Sequence, residues 1–223
     1  MPHAVLWDMD GTLVDTEPYW MAAETSLVEE YGGTWTMEQA LQLVGNGLMD
    51  SARILQATGV DLPADDIVQR LTDDVRGLLR TQGVPFRPGA RELLADLKAN
   101  GVRTGLVTMS LRRMADSVVD LIGFDAFDVT IAGDEVERPK PYPEPYLAGA
   151  AALGVDIRDT VALEDSPTGL RSALSSGAVT IGIPHIVGLD GLGAHELWQT
   201  LESRTTNDIV AAHAAHHTEE STR

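Results

Sequence analysis

Short apolar runs recur along the chain and predict five strands. Their residues are β-branched or aliphatic at consecutive positions, which is typical of parallel strands covered by helices on both faces. They lie at 4–7, 102–107, 127–132, 160–163 and 179–183. Helical patterns separate the later runs, and several end at a glycine. These helices span 89–100, 111–122, 144–153 and 168–176. Such alternation predicts an α/β fold with a doubly wound parallel sheet.

The first strand interrupts this alternation, because no second strand is evident before about residue 102. Four helical patterns fill the interval, at 18–31, 37–44, 48–58 and 64–82. The sequence therefore predicts a helical cap domain inserted directly after the first strand. Ligands of doubly wound sheets bind at the carboxyl ends of the strands, so this cap is expected to act as a lid. We expect a core at 1–16 and 88–204 and a cap at 17–87.

The end of the chain, 205–223, is rich in Ala, His and Thr and predicts a disordered tail. Its histidines His213, His216 and His217 could suggest a metal site, but a frayed polar tail is the preferred interpretation.

The charge balance restricts the partners of the protein. The 223 residues carry 16 Lys and Arg against 34 Asp and Glu, so 16 − 34 gives a net charge of −18. This argues against nucleic-acid binding, which needs a basic face. An anionic substrate would need a local positive group, such as a metal ion or a placed lysine. No membrane span, leader or cysteine is evident, so a cytoplasmic location is expected. The expected oligomeric state is a monomer or weak homodimer.

Two carboxylates follow the first strand. Asp8 ends the apolar run, and Asp10 can point into the same cleft two residues later. A carboxylate nucleophile beside a second carboxyl acid or base is a known device for group transfer. Loop acids that cap helices are the alternative, and this motif alone is weak evidence.

Two further features of the sequence are candidates for anion binding. Thr108 and Ser110 follow the second strand, where a hydroxyl can bind a phosphate oxygen, although capping of the next helix is the simpler alternative. Lys140 is one of only two lysines, and it stands between two prolines. A stiffly mounted ammonium group suits the neutralisation of a phosphoryl group or a nucleophile.

A second acid pair, Glu164 and Asp165, follows the strand at 160–163. Carboxylates on separate strand ends, with no Cys or His nearby, suit Mg²⁺. The alternative is that Asp165 or Ser166 caps the following helix, which leaves the recurrence of the acid pattern unexplained.

These motifs in this order resemble the haloacid dehalogenase superfamily, in the subfamily with a helical cap after the first motif. DxDGT begins at Asp8, a strand-end Thr follows at Thr108, KPxPxxY begins at Lys140 and EDSPTG begins at Glu164. The resemblance extends to about residue 203. Beta-phosphoglucomutase-like and phosphoglycolate phosphatase-like members are the most similar branches.

The resemblance implies a role for each motif residue. Asp8 would be the nucleophile that forms an aspartyl-phosphate, and Asp10 the general acid and then base. Thr108 and Lys140 would bind the phosphoryl group. Mg²⁺ would be held by Asp8, the Asp10 backbone carbonyl and Asp165, with Glu164 as a ligand directly or through water.

The family comparison also restricts the reaction. Asp10 argues against a dehalogenase, because halide displacement needs no proton on the leaving group. A cap lysine, which phosphonate hydrolases of the family use, is absent because no lysine occurs before Lys98. Mutases of the family carry a cap arginine and a cap histidine where this chain has Leu48 and Trp20. Both differences favour a hydrolase, with a beta-phosphoglucomutase-type mutase as the alternative.

The expected activity is hydrolysis of a small phosphomonoester, such as a sugar phosphate or a related metabolite. Glu17, Trp20 and Asn46 are the cap residues expected to contact substrate, although Trp20 could equally belong to the cap core. A non-catalytic phosphate-binding protein is the alternative from another class. It is disfavoured because both Asp8 and Asp10 are present.

Overall fold

The computed structural model describes residues 1–44 and 46–217, so Gly45 and the last six residues of the predicted tail lie outside the described residues. The chain divides into two units. The sheet unit comprises Met1–Asp15 and Pro85–Arg223, and the helical unit comprises Thr16–Val84. The sequence placed the second boundary three residues later, at 87/88. In the structure, Asp15 N donates to Pro85 O (2.7 Å) and Arg87 N to Leu13 O (3.0 Å), within the sheet unit.

A parallel sheet of six strands forms the centre of the sheet unit. Its order is β3-β2-β1-β4-β5-β6, and the predicted doubly wound parallel fold is confirmed. The strands are β1 (Ala4–Trp7), β2 (Arg103–Val107), β3 (Val129–Ile131), β4 (Thr160–Glu164), β5 (Val179–Gly182) and β6 (Glu196–Leu197). The edge strand β6 was not predicted, because two residues are too few to show a pattern.

The register of the central strands decides which residues meet at their carboxyl ends. Trp7 lies opposite Leu106 of β2 and Leu163 of β4, and Asp8 N continues the ladder by donating to Leu163 O (3.0 Å). The next residue of each strand therefore emerges at the same edge. The chain reverses its order of strand addition at β1 and β4, where ligands of such sheets bind.

In its described residues, the helical unit contains four helices, as the sequence predicted. They are α1 (Glu17–Glu30), α2 (Met37–Leu41), α3 (Leu48–Ala57) and α4 (Ala64–Gln82). Leu27, Leu55, Ile67 and Leu79 are fully buried on three of them. Helix α2 ends at Leu41, short of the predicted residue 44. Its start at Thr36 is a capping box with Gln39.

The described part of the sheet unit contains five further α-helices. They are α5 (Ala90–Ala99), α6 (Arg112–Ile122), α7 (Glu144–Leu153), α8 (Pro167–Ser176) and α9 (Thr206–His217). Helix α7 contributes Tyr146 and Ala150 to a buried cluster with Leu6, Val107 and Ala162 of the strands. This layer fixes the start of α7, and with it the loop that carries Lys140, against the sheet.

Helix α9 corrects the prediction of a disordered tail, at least as far as His217. Asp96 of α5 fixes the start of α9, since its Oδ2 accepts from Thr206 N (2.7 Å) and Oγ1 (2.8 Å). Ile209 and Ala212 are then buried. The alanine- and histidine-rich composition concealed this apolar face, which packs against α5 and the strands β4 and β5.

Candidate active site

Three adjacent strands and one loop place the predicted acids and the lysine at a single point. Asp8 directly follows β1, Thr108 directly follows β2, and Glu164 is the last residue of β4. Lys140 enters from the loop before α7. The structure thus brings together residues that lie up to 157 positions apart, Asp8 and Asp165 being the extremes.

Lys140 is buried and all three of its N–H donors are used. Its Nζ donates to Asp8 Oδ1 (2.6 Å), to Glu164 Oε1 (2.7 Å) and to the carbonyl oxygen of Val107 (2.9 Å). Burial alone would lower the pKa of Lys140, but the charges of Asp8 and Glu164 outweigh it and raise that pKa. The ammonium group is therefore charged and held in one position.

Asp8 combines a paired oxygen with an unpaired one. Oδ1 accepts from Lys140, whereas the buried Oδ2 has no hydrogen-bond partner among the residues described. Burial and the charge of Glu164 raise the pKa of Asp8 to about 7, against the lowering effect of Lys140. One ammonium group is thus not enough to keep this carboxylate fully ionised at neutral pH.

Asp10 is held by the hydroxyls that the sequence assigned to phosphate binding. Ser110 Oγ donates to Asp10 Oδ2 (2.8 Å), and Thr108 Oγ1 lies 3.5 Å from the same oxygen, a long contact. Thr108 Oγ1 also accepts from Ser110 N (3.0 Å). Helix α6 begins after Leu111, so capping of this helix is not the role of Thr108. The two hydroxyls orient Asp10 next to Asp8.

Asp165 lies against the turn that follows Asp8. Thr12 Oγ1 donates to Asp165 Oδ1 (3.3 Å), and a side chain at Gly11 would collide with the Asp165 carboxylate. Gly11 has a φ of +93°, so both its backbone and its lack of a side chain are required. Burial, followed by the charges of Asp8 and Glu164, raises the pKa of Asp165 well above its usual value.

Glu164 is fully buried and surrounded by donors. Its Oε1 accepts from Lys140 and from Tyr146 Oη (2.7 Å), while Oε2 accepts from Ser166 Oγ (3.3 Å). Burial and the charges of Glu164 and Asp8 raise the pKa of Tyr146, which keeps its hydroxyl protonated as a donor. A side chain at Gly169 would collide with this carboxylate. Glu164 thus positions Lys140.

The donor set fits Mg²⁺. One oxygen each of Asp8, Glu164 and Asp165 lie within 4.8 Å of one another. Three carboxylates face a single ammonium group, and the orphaned Asp8 Oδ2 needs a partner that the described residues do not supply. A hard divalent cation with oxygen ligands satisfies both requirements.

The three predicted substrate contacts in the cap belong to the helical unit. Glu17 is the first residue of α1, and Trp20 on the same helix is buried. Asn46 is exposed, and its Nδ2 donates to Gln42 O (2.9 Å). Their role in substrate binding stays a prediction.

Thr12 and Tyr146 have partners in the site that the sequence did not predict. Thr12 lies within the DxDGT motif and Tyr146 within the KPxPxxY motif, and these positions were the available sign of a role. Their hydrogen-bond partners, Asp165 and Glu164, belong to another motif. The capping role considered for Ser166 is confirmed, because its Oγ accepts from Gly169 N (3.0 Å) at the start of α8.

Comparison with known proteins decides the family. The model of haloacid dehalogenase-like hydrolases matches residues 2–177. The chain belongs to this family. The phosphorylated carbohydrates phosphatase of Thermotoga maritima is 30% identical over 186 residues, covering 82% of this chain and 86% of the relative. Hexitol phosphatase B of Escherichia coli K12 is 30% identical over 192 residues, covering 81% and 83%.

A solved structure extends the comparison to the fold. A CbbY mutant from Rhodobacter sphaeroides, in complex with xylulose-(1,5)-bisphosphate, superposes with a TM-score of 0.85. It is 29% identical, and the match covers 94% of this chain and 99% of that one. The predicted enzyme class of this family member, a phosphoric monoester hydrolase, is thereby confirmed. Within the described ranges, no helix has the length and apolarity needed to cross a membrane.

Proposed function

We propose that this family member is a Mg²⁺-dependent phosphatase that hydrolyses a small sugar phosphate or related phosphomonoester through an aspartyl-phosphate on Asp8. One observation carries the proposal. The buried carboxylate of Asp8 is held at one oxygen by Lys140 (2.6 Å), while its other oxygen is without a partner among the described residues. A carboxylate that an ammonium group orients at one oxygen, and that leaves the other oxygen open to a bound cation, suits a nucleophile.

The first half of the reaction transfers the phosphoryl group to Asp8. An Asp8 oxygen forms a bond to phosphorus as the bond from phosphorus to the leaving oxygen breaks. Asp10, oriented by Ser110 and Thr108, donates a proton to that leaving oxygen. The product alcohol then departs, and the phosphoryl group stays on Asp8.

The second half releases inorganic phosphate. Asp10, now deprotonated, takes a proton from a water molecule as the water oxygen attacks phosphorus. The bond between phosphorus and Asp8 breaks, and Asp8 is regenerated as a carboxylate. One acid thus serves both halves, which explains why its orientation by two hydroxyls is useful.

The positive groups stabilise the transferred charge. Lys140 would lie beside the phosphoryl oxygens, as its 2.6 Å contact with Asp8 implies. Asp8, the Asp10 backbone carbonyl and Asp165 would hold Mg²⁺, with Glu164 directly or through water. When bound, the ion neutralises charge on the phosphoryl oxygens and on the nucleophile.

Relatives support the substrate class. The Thermotoga and Escherichia relatives are named as phosphatases of phosphorylated carbohydrates and hexitols, and the CbbY structure holds a sugar bisphosphate. Glu17, Trp20 and Asn46 are proposed substrate contacts. A mutase is the less favoured alternative, because this chain has Leu48 and Trp20 where mutases of the family carry an arginine and a histidine. A cytoplasmic location and a monomeric or weakly dimeric state complete the proposal.

The test compares Asp8→Asn with Asp61→Asn, which changes an exposed carboxylate. With Mg²⁺, freshly purified Asp8→Asn should show no hydrolysis of p-nitrophenyl phosphate, and Asp61→Asn should match the wild type. Chelation of Mg²⁺ should stop the wild-type reaction and its return should restore it. Turnover by Asp8→Asn would disprove the assignment of the nucleophile.

A panel of phosphorylated metabolites separates the two reactions. Release of inorganic phosphate from sugar monophosphates supports the phosphatase. Conversion of beta-glucose 1-phosphate to its isomer, in the presence of the bisphosphate activator and without phosphate release, would establish the mutase instead.

A further inference from the structure

Two histidines on α9 and one aspartate form a second cluster of potential metal ligands in the sheet unit. His213 and His217 are four residues apart, so their side chains leave the same face of the helix. Their rings are stacked with centroids 4.9 Å apart. His217 Nε2 lies 3.9 Å from Asp159 Oδ1. One donor atom from each of the three residues lies within 4.8 Å of the other two.

Neighbouring groups orient two of these side chains. His213 Nε2 lies 3.4 Å from the carbonyl oxygen of Arg158. A carbonyl can only accept, so this contact places the ring proton on Nε2 and leaves the lone pair of Nδ1 available. His3 Nδ1 lies 3.3 Å from Asp159 Oδ2, the oxygen that does not face His217. Supporting contacts of this kind to a carbonyl or a carboxylate surround most histidine-based metal sites.

We propose that His213, His217 and Asp159 bind a divalent transition-metal ion, for which Zn²⁺ is the best chemical match. Two imidazoles and a carboxylate form a donor set that suits Zn²⁺, whereas the all-oxygen set at Asp8, Glu164 and Asp165 suits Mg²⁺. The two sites therefore select different ions. Water would occupy the fourth position.

The geometry needs little adjustment. The ligands of a tetrahedral Zn²⁺ are separated by about 3.4 Å, given bonds of about 2.0–2.1 Å. His217 is half exposed, so its ring can rotate towards Asp159 without disturbing the core. His213, in contrast, is only 4% exposed and is already fixed.

The position of the site suggests its effect. Asp159 belongs to the short turn that directly precedes β4, and the histidines belong to the last two turns of α9. A bound ion would join the end of the helix to the sheet. It would stabilise the folded state by mass action, because the unfolded chain does not hold the three ligands together.

The experiment titrates the full, untagged chain with Zn²⁺ in competition with a chromophoric chelator, in excess Mg²⁺ to occupy the acid cluster. The wild type should bind one Zn²⁺. His217→Ala and Asp159→Asn should each weaken binding about tenfold or more, since loss of supporting contacts alone has effects of that size. His216→Ala is the matched control, because it removes a histidine of the same helix that pairs with Glu196 (3.8 Å).

Thermal unfolding provides a second measurement that does not depend on catalysis. Zn²⁺ should raise the Tm of the wild type and of His216→Ala, but not that of His217→Ala or Asp159→Asn. Because His217 and Asp159 are more exposed than His213, their replacement leaves the core intact. The proposal is overturned if the wild type binds no Zn²⁺ in excess Mg²⁺, or if both ligand variants bind it as tightly as the wild type.

Discussion

Both units of the protein bury carboxylic acids, and they compensate for the unfavourable burial of charge in different ways. In the sheet unit, Asp8 and Glu164 share the ammonium group of Lys140. In the helical unit, Glu24 is 6% exposed and its Oε2 accepts from Trp35 Nε1 (3.2 Å), a neutral donor. Burial raises the pKa of Glu24 to about 7, against the lowering effect of the hydrogen bond from Trp35.

The difference lies in what compensates the charge. A neutral indole cannot balance the charge of a buried carboxylate, so Glu24 takes up a proton more readily than an exposed glutamate does. The sheet unit instead collects several carboxylates around a cation and leaves one oxygen of Asp8 without a partner among the described residues. This excess of negative charge lowers the stability of the fold, but it provides the cation site that a cation-dependent enzyme requires.

Removal of the ammonium group should have the largest effect. Lys140→Met leaves the acid cluster without its cation, and unfolding free energy should fall by about 3–5 kcal/mol, as when one partner of a buried pair is removed. Phosphatase activity should fall about 10²–10³-fold or more. Urea denaturation and p-nitrophenyl phosphate hydrolysis measure the two effects.

The other lysine is the matched control. Lys98→Met removes a partly exposed ion pair with Asp128 (2.8 Å). The free energy of unfolding should fall by about 1 kcal/mol or less, and activity should stay unchanged. Equal effects of the two lysine variants would contradict the special role of Lys140.

The second prediction concerns the pH dependence caused by Glu24. Its pKa rises from 4.5 to about 7 on folding, so the folded state binds the extra proton between these values and stability falls as pH rises through this range. Glu24→Gln should remove the contribution of Glu24 to this loss, at most about 3 kcal/mol, and keep that of Asp8, whose pKa is also raised to about 7. Urea denaturation at pH values below and above the range, for wild type and variant, measures it.

Exposed Glu29 on the same helix provides the control. Glu29→Gln should keep the wild-type pH dependence. If Glu24→Gln kept it too, Glu24 would not be the buried acid that titrates, and the contrast between the two units would fail.

A smaller effect is expected from Gly11→Ala. The new side chain meets the Asp165 carboxylate, and the φ of +93° adds backbone strain, so unfolding free energy should fall by about 2–3 kcal/mol. Activity should fall as well, because Asp165 must move. Gly32→Ala isolates the effect of backbone strain, since Gly32 has a φ of +76° but the described residues place no atom within 4 Å of the new side chain. Similar losses of stability and activity in both variants would exclude the collision.

The smallest effect should come from Tyr146→Phe. Glu164 Oε1 loses one donor but keeps Lys140, so the free energy of unfolding should fall by about 1 kcal/mol. Activity should fall a few-fold. Tyr142→Phe, at an exposed tyrosine, should change neither quantity. A fall in activity without a fall in stability would assign Tyr146 a role beyond the positioning of Glu164.

Much of the site was visible in the sequence for a simple reason. The carboxyl ends of adjacent parallel strands meet at one edge, so acids that end apolar runs, such as Asp8 and Glu164, converge even when the strand order is unknown. The partners of Asp10 were not predictable, because Thr108 and Ser110 have hydroxyls that suit a phosphate oxygen and a carboxylate equally well. Helix α9 was missed because its stability depends on contacts with Asp96 and the sheet.

By itself, the sequence determined the types of the elements, the position of the helical insertion after β1 and the acids at the strand ends, because these depend on local periodicity and chain order. Tertiary structure decided which charges are compensated. Lys140 and Asp8 are 132 residues apart, and only the packing of α7 against the sheet, which holds the Lys140 loop at the end of β1, brings them to 2.6 Å. Whether a buried acid lies beside a neutral donor, like Glu24, or joins a cluster of carboxylates around a cation, like Asp8, depends on the partners that folding places beside it.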